Sequence, residues 1–128
     1  MSYKILTVDD SRMVRLIVAR AFQPLGCDVY EATNGTDGLA IATAVAPDFI
    51  FLDITMDDMN GLVVLEKLRA LDAFKNTPVV MLTAESGIHS IERADQLNVV
   101  GYVAKPFNGH QLLALASKHL NLQPAPAQ

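Results

Sequence analysis

The sequence has little of several features that would tie a protein to a particular partner. It holds a single cysteine, Cys27, which excludes an internal disulfide and any cysteine-based metal cluster. It also has no run of basic residues, and its net charge is −4 with a pI near 5.2. Because nucleic-acid binding depends on basic patches that neutralise phosphates, we expect no nucleic-acid partner.

Long apolar stretches are also missing. No stretch reaches the roughly 18 apolar residues that are needed to span a bilayer. The amino terminus leads straight into a strand-like run, without the charged and apolar regions of a signal peptide. We therefore expect no membrane insertion and a location in the reducing cytoplasm.

The chain alternates strand-like and helix-like segments. With 128 residues and 51% hydrophobic content, it is long and apolar enough to form one domain with its own core, expected over 1–122, followed by a short tail at 123–128. Strand-like runs occupy 5–8, 28–32, 49–52, 79–82 and 99–104. Helical patterns occupy 11–24, 36–46, 60–71, 86–97 and 108–120. This repeat predicts an α/β fold, a mostly parallel five-stranded sheet with helices on both faces. The run at 28–32 alternates polar and apolar residues, which predicts an edge strand.

Polar residues follow four of the strand-like runs at their carboxyl ends. Asp53 ends the apolar run 49–52, and Asp9 and Asp10 follow the first run. Thr83 and Lys105 stand at the corresponding positions after the fourth and fifth runs. Ligands of open α/β sheets bind at the edge where the carboxyl ends of the strands meet. We therefore expect these side chains to share one rim.

The acidic residues of the predicted rim favour a bound cation. Carboxylates a few ångströms apart repel each other by roughly 4 kcal/mol per pair at an effective dielectric near 20, so protons or a cation must offset this repulsion. A hard divalent ion held by carboxylates, with room for a phosphoryl group, is typical of Mg²⁺. Asp53 would then be a nucleophile that forms an aspartyl phosphate, with Lys105 pairing with the phosphoryl oxygens and Thr83 donating a hydrogen bond to one of them.

The motifs together resemble the receiver domain of two-component response regulators. They are Asp9-Asp10, Asp53 with Met56, Met59 and Gly61 after it, Thr83-Ala84, and the segment Tyr-Val-Ala-Lys-Pro-Phe at 102–107. The resemblance extends from Lys4 to about Leu120 and is greatest to stand-alone, CheY-like receivers. It implies a flavodoxin-like, doubly wound sheet with the strand order 2-1-3-4-5.

The resemblance implies a function in phosphotransfer. Asp53 would accept a phosphoryl group from the phosphohistidine of a histidine kinase in a Mg²⁺-dependent reaction, and Thr83 and Lys105 would sense the phosphate. Tyr102 would be the switch aromatic that turns inward as the Thr83 hydroxyl moves toward the phosphate. A protein of this kind is not a conventional enzyme, because it catalyses only its own phosphorylation and dephosphorylation. Tyr102 has a plainer alternative role, as a strand aromatic packed on the fourth and fifth helices.

The resemblance also implies a metal site and one unusual peptide bond. Asp10 and Asp53 would bind Mg²⁺ through their carboxylates, the backbone carbonyl of Thr55 would be a further ligand, and Asp9 would act largely through water. The peptide bond before Pro106 would be cis.

One segment departs from the family pattern. Asp57 stands where such proteins usually have proline, and Asp58 follows it. An extra acid there adds negative potential near the metal, and the loss of proline removes a rigid turn residue. Thr55 and Glu85 occupy positions that influence access of water to the aspartyl phosphate in such proteins.

The output is expected to be docking to another protein. The fourth helix has a thin apolar stripe of Ile88, Ile91 and Ala94, so we expect it to be the least firmly docked helix. The fourth helix, the fifth strand with Tyr102 and the fifth helix would form a face whose shape changes on phosphorylation, in a protein expected to be a monomer. Chemotaxis is the favoured pathway, and a phosphorelay intermediate or phosphate sink is the alternative.

Two other classes share parts of this pattern. Aspartyl-phosphate phosphohydrolases of the haloacid dehalogenase type have the motif Asp-x-Asp-x-Thr on the first strand. This chain has Asp9-Asp10-Ser11 there, so that motif is absent. A flavodoxin-like cofactor carrier needs a hydroxyl- and glycine-rich phosphate loop after that strand. An acidic pair at this position repels phosphate unless a metal intervenes, which disfavours the carrier.

Overall fold

The computed structural model describes residues 2–56, 58–84 and 88–122. Within these residues, five strands alternate with five α-helices, as the sequence predicts. The strands are β1 Lys4–Val8, β2 Asp28–Ala32, β3 Phe49–Asp53, β4 Val79–Thr83 and β5 Gly101–Ala104. The helices are α1 Arg12–Phe22, α2 Gly35–Val45, α3 Gly61–Ala70, α4 Ile88–Gln96 and α5 Gly109–Ala116. The predicted tail at 123–128 and the side chains of residues 88–91 lie outside the described part of the chain.

The sheet has the predicted topology. All of its strand pairs are parallel, and the order is β2-β1-β3-β4-β5, which confirms 2-1-3-4-5 and places β2 at an edge. Strand β3 lies in the middle and is buried along its whole length, which explains its uninterrupted apolar run. Its last residue, Asp53, is therefore delivered to the middle of the carboxyl edge.

Two apolar clusters cover the two faces of the sheet. One joins the sheet to α2, α3 and α4 through Ala42, Val64, Leu65, Leu68 and Ala94. The other joins it to α1 and α5 through Val14, Val18, Phe22, Leu112 and Ala116. The helices therefore lie on both faces, as predicted, and no helix in the described part of the chain is both long and apolar enough to cross a membrane.

Side-chain caps fix where the helices begin. Ser11 accepts a hydrogen bond from the backbone N–H of Val14 at 3.3 Å, and Asn60 accepts one from Leu62 at 2.8 Å, the usual function of such residues at a helix start. Asn34 caps α2 in the same way, accepting from the N–H of Asp37 at 2.8 Å.

Two elements are shorter than predicted. Strand β5 begins at Gly101 because Val99 closes the end of α4, donating its N–H to Ala94 at 3.4 Å after Asn98 turns to φ 60°. Helix α5 ends at Ala116, where the hydroxyl of Ser117 donates to the carbonyl of Leu113. Serine competes in this way with regular helical hydrogen bonding.

Arg69 joins the end of α3 to two neighbouring connections. Its guanidinium is part-buried and donates to the carbonyls of Leu97 at 2.8 Å, Phe74 at 2.8 Å, Thr77 at 2.7 Å and Asn98 at 3.2 Å. These carbonyls belong to the segments that precede β4 and β5. Arg69 therefore ties the end of α3 to both connections.

We predict that Arg69→Ala lowers the free energy of unfolding by about 2–3 kcal/mol, because the substitution leaves several part-buried carbonyls without their donor. Urea unfolding measures the change, and Lys67→Ala, at an exposed position on the same helix, is the matched control. A loss equal to that of the control would contradict this role of Arg69.

Candidate functional site

Asp9 and Asp10 follow β1 directly and differ in exposure. Asp9 is fully buried, its N–H donates to the carbonyl of Ala32 at 3.0 Å, and its Oδ1 accepts from the N–H of Ser11 at 2.8 Å. Asp10 is exposed. One carboxylate is therefore fixed by the backbone inside the site, while the other faces solvent.

Asp53 ends β3 with only 3% of its surface exposed. Its Oδ1 accepts a long hydrogen bond from the N–H of Thr55 at 3.4 Å. The first residue of α3, Gly61, crosses close behind it and donates to the carbonyl of Ile54 at 2.7 Å. The carboxylate is thus held at the rim between a buried strand and the start of a helix.

Lys105 links the two buried carboxylates. Its Nζ lies 2.9 Å from Oδ2 of Asp9 and 3.2 Å from Oδ1 of Asp53. Burial on its own lowers the pKa of Lys105, but the two carboxylates outweigh burial and hold that pKa above its ordinary value. The lysine therefore stays charged at the centre of the site.

The three predicted acids of the metal site come together. Carboxylate oxygens of Asp9, Asp10 and Asp53 all lie within 4.8 Å of one another. Burial, and then the charge of Asp9, raise the pKa of Asp53 to about 6, although Lys105 acts in the opposite direction. The surroundings therefore disfavour the ionised form of Asp53, and a further cation nearby would stabilise that form.

Thr83 and Thr55 also lie at this rim. Thr83 is the last residue of β4 and is 7% exposed, and the neighbouring Leu82 pairs in register with Asp53. Thr55 is exposed in the connection between β3 and α3. Asp57 and Glu85, the other sequence positions of interest here, lie outside the described residues. The functions of the rim residues stay predictions.

Tyr102 lies away from the three carboxylates, on the α4 side of the sheet. Its hydroxyl donates to the carboxylate of Asp95 on α4, and its ring packs against the cluster that includes Ala94. Burial and this hydrogen bond raise the pKa of Tyr102. This contact agrees with the α4 part of the plainer alternative, while α5 contributes to the cluster on the opposite face. The predicted cis peptide before Pro106 is confirmed.

Two residues that contact the site segments were missed. Arg15 donates from Nη1 to the carbonyl of Asp9 at 2.8 Å and pairs with Glu31 at 3.1 Å. Asp58, noted in the sequence only as the residue after Asp57, turns to the start of α2 and accepts from Gly35 and Thr36. A basic residue in the first turn of α1 was a weak signal for Arg15, whereas nothing local pointed to the contact of Asp58.

Comparison with known proteins gives a consistent result. A family model described as the response regulator receiver domain matches residues 5–117. The chain is 38% identical over 110 residues to chemotaxis protein CheY of Pseudomonas aeruginosa, over 85% of this chain and 89% of that protein. It is 30% identical over 123 residues to sporulation initiation phosphotransferase F of Bacillus subtilis, over 96% of this chain and 98% of that protein. The solved structure of Vibrio cholerae chemotaxis protein CheY4 has a TM-score of 0.87 at 32% identity, over 94% of this chain and 100% of that one.

These matches agree with the strand order, the rim and the acidic group found in the structure. Receiver domains bind Mg²⁺ at an acidic pocket and accept phosphoryl groups from histidine kinases. The chain therefore belongs to the response regulator receiver domain family.

Proposed function

We propose that this protein is a phosphorylation-controlled switch that accepts a phosphoryl group on Asp53 from a histidine kinase and signals by docking to another protein. The observation that carries the proposal is the position of the Lys105 ammonium between the buried carboxylates of Asp9 and Asp53. A lysine and several acids converging at a strand end are suited to phosphoryl transfer, where positioning and charge compensation supply most of the catalysis.

The acidic group fits a hard divalent cation. The donors are carboxylate oxygens within 4.8 Å of one another, and Mg²⁺ prefers oxygen ligands and keeps waters. Asp10 and Asp53 would hold it, with the carbonyl of Thr55 as a further ligand and Asp9 acting largely through water. When bound, Mg²⁺ would offset negative charge on the phosphoryl oxygens.

The chain's own residues account for the transfer. The Asp53 carboxylate attacks the phosphorus of the phosphohistidine, an O–P bond forms, and the P–N bond breaks with its electron pair returning to the imidazole nitrogen. Lys105 leaves part of its pairing with Asp53 to pair with a phosphoryl oxygen. The Thr83 hydroxyl donates to another oxygen.

Transfer from a kinase tests this function directly. After incubation with a chemotaxis-type histidine kinase carrying a labelled phosphohistidine, we expect the label to pass to the parent protein and not to Asp53→Asn. Label that reaches both proteins equally would show that another residue is the acceptor. Label that remains on the kinase would argue against the proposed phosphodonor.

The output surface is the face formed by α4, β5 and α5. In the unphosphorylated protein the Tyr102 hydroxyl is engaged by Asp95, so inward movement of the ring requires this hydrogen bond to break. Such a bond contributes about 1 kcal/mol, which corresponds to a roughly fivefold change in the ratio of two conformations. Asp95 therefore biases the switch toward its unphosphorylated state.

We predict that Asp95→Ala shifts the Tyr102 ring resonance of the unphosphorylated protein part of the way toward its phosphorylated position, in NMR spectra of tyrosine-labelled protein. Glu92→Ala, which removes an exposed acid of the same helix, is the control and should leave the resonance in place. An Asp95→Ala spectrum identical to that of the parent would contradict this bias.

A phosphorelay intermediate is the second candidate, favoured by the match to sporulation initiation phosphotransferase F over 98% of that protein. The two functions differ in the fate of the phosphoryl group. A relay intermediate passes it from Asp53 to a histidine of a phosphotransfer protein, whereas a terminal switch loses it to water. Label appearing on an added histidine phosphotransfer domain would favour the relay.

A further inference from the structure

The connection between β3 and α3 is attached to the first turn of α2 by Asp58. Its Oδ1 accepts from the N–H of Gly35 at 2.9 Å. Its Oδ2 accepts from the N–H of Thr36 at 3.0 Å and from the Thr36 hydroxyl at 2.9 Å. Both carboxylate oxygens are therefore used to join segments that lie more than twenty residues apart.

This attachment is distinct from the local cap of α2. Asn34 already caps the helix through the N–H of Asp37 at 2.8 Å. Asp58 satisfies the remaining early amides, which have no partner inside a helix. Hydrogen bonds from Gly35 and Thr36 lower the pKa of Asp58 to about 2, so the carboxylate is charged throughout the neutral range and the attachment does not titrate there.

An apolar contact supports the same attachment. A side-chain carbon added at Gly35 would come within 2.4 Å of Cγ of Met59, so the methionine lies directly on the glycine. Met56 is 8% exposed, and Met59 packs against the same cluster. The connection is thus held in place by Met56, Asp58 and Met59, and Thr55 directly precedes Met56.

The connection does not have the proline that the family usually places at position 57, where this chain has an aspartate. A proline at that position would fix its own φ angle. The position of Thr55 therefore depends on contacts made by its neighbours. Ile54 donates its N–H to the carbonyl of Leu82 at 3.0 Å and accepts from Gly61 at 2.7 Å. Asp58 is the described residue of this connection whose side chain joins it to α2 by hydrogen bonds.

We propose that Asp58 is a positioning residue for the Mg²⁺ site, because its attachment to α2 fixes the connection that carries Thr55. The inference rests on the proposed function, in which the Thr55 carbonyl is a metal ligand. Asp58 does not contact the reacting groups. It acts by limiting the motion of the segment that follows Asp53.

The test compares removal of the attachment with removal of the local cap. Asp58→Ala removes the hydrogen bonds that attach the connection to α2. Asn34→Ala removes the local cap of α2 and leaves those hydrogen bonds in place. The Mg²⁺ dissociation constant of each protein is measured calorimetrically, and phosphorylation by acetyl phosphate is followed from low to saturating Mg²⁺. We expect Asp58→Ala to raise the dissociation constant about fivefold with less than a twofold change in rate at saturating Mg²⁺, and Asn34→Ala to change both less than twofold.

Two milder substitutions test the same attachment if Asp58→Ala folds poorly. Thr36→Val removes only the hydroxyl donor, and Asp58→Asn keeps the side-chain volume and one acceptor oxygen, so each should raise the dissociation constant about twofold. Equal effects of Asp58 and Asn34 substitutions, or unchanged Mg²⁺ affinity in the Asp58 variants, would overturn the positioning role alone. A parent protein that neither binds Mg²⁺ nor becomes phosphorylated would instead overturn the proposed function and this inference with it.

Discussion

Gly61→Ala is expected to lower the free energy of unfolding by about 3 kcal/mol or more. A carbon added at Gly61 would lie 2.0 Å from the carbonyl oxygen of Asp53 and 2.8 Å from its carbonyl carbon. Both atoms belong to the backbone of the central strand, which cannot move aside as a flexible side chain would. Overpacking of this kind costs typically 1–3 kcal/mol and more when backbone must shift.

Urea unfolding of Gly61→Ala and Gly101→Ala provides the comparison. A carbon added at Gly101 would approach Cδ2 of Leu115 at 3.1 Å, and that side chain can rotate, so the control should change stability by less than about 1 kcal/mol. The Gly61 substitution should also weaken Mg²⁺ binding, because α3 begins directly behind Asp53. Similar stabilities for the two variants would contradict the close approach of α3 to β3.

Lys105→Met is expected to destabilise the Mg²⁺-free protein by about 3 kcal/mol at pH 7.5. The substitution keeps much of the side-chain volume but leaves the carboxylates of Asp9 and Asp53, which are 0% and 3% exposed, without their shared cation. Loss of one partner from a buried ion pair costs about 3–5 kcal/mol. Lys67→Met, at an exposed position of α3, controls for the loss of a lysine.

The effect of Lys105→Met should depend on pH. The pKa of Asp53 is raised from 3.8 to about 6 in the folded parent, so its ionisation opposes folding as pH rises through 6. Without Lys105, which lowers this pKa, the value rises further. The difference in the free energy of unfolding between parent and variant should therefore narrow as pH falls toward 6, and below 6 Asp53 is protonated in both folded proteins and no longer needs the lysine.

Added Mg²⁺ should also reduce the difference in the free energy of unfolding between the parent and Lys105→Met at pH 7.5, since a bound cation would replace part of the lost positive charge. Unfolding curves at pH 7.5 and 5, each with and without Mg²⁺, measure both dependences. If the difference in the free energy of unfolding between parent and variant is equal at the two pH values, Lys105 is not the cation that compensates ionised Asp53.

The rim was predictable because it depends on local sequence pattern. Buried parallel strands appear as short apolar runs, and each run here ends in a polar residue at the point where the strand leaves the sheet. Once the βα repeat fixed a parallel sheet, Asp53 and Lys105 had to lie at the same edge. The structure accordingly brings these two side chains within 3.2 Å.

The contacts that support the rim were not predictable in the same way. The long side chain of Arg69 folds back to the carbonyls of Phe74 and Asn98, whereas helical periodicity indicates only which face of a helix is polar. Asp58 and Asp95 find partners through the packing of helices, and hydropathy carries no information about those distances. The late start of β5 follows from the left-handed turn at Asn98, which an apolar run beginning at Val99 does not reveal.

Intact-mass measurement after incubation with acetyl phosphate, with and without Mg²⁺, shows whether Asp53 accepts a phosphoryl group. We predict one phosphoryl adduct on the parent protein that requires Mg²⁺, and none on Asp53→Asn. The same substitution removes an ionisable group whose pKa is raised to about 6, so the variant should be folded and at least as stable without metal. An adduct of equal size on Asp53→Asn, or none on the folded parent in the presence of Mg²⁺, would contradict the account.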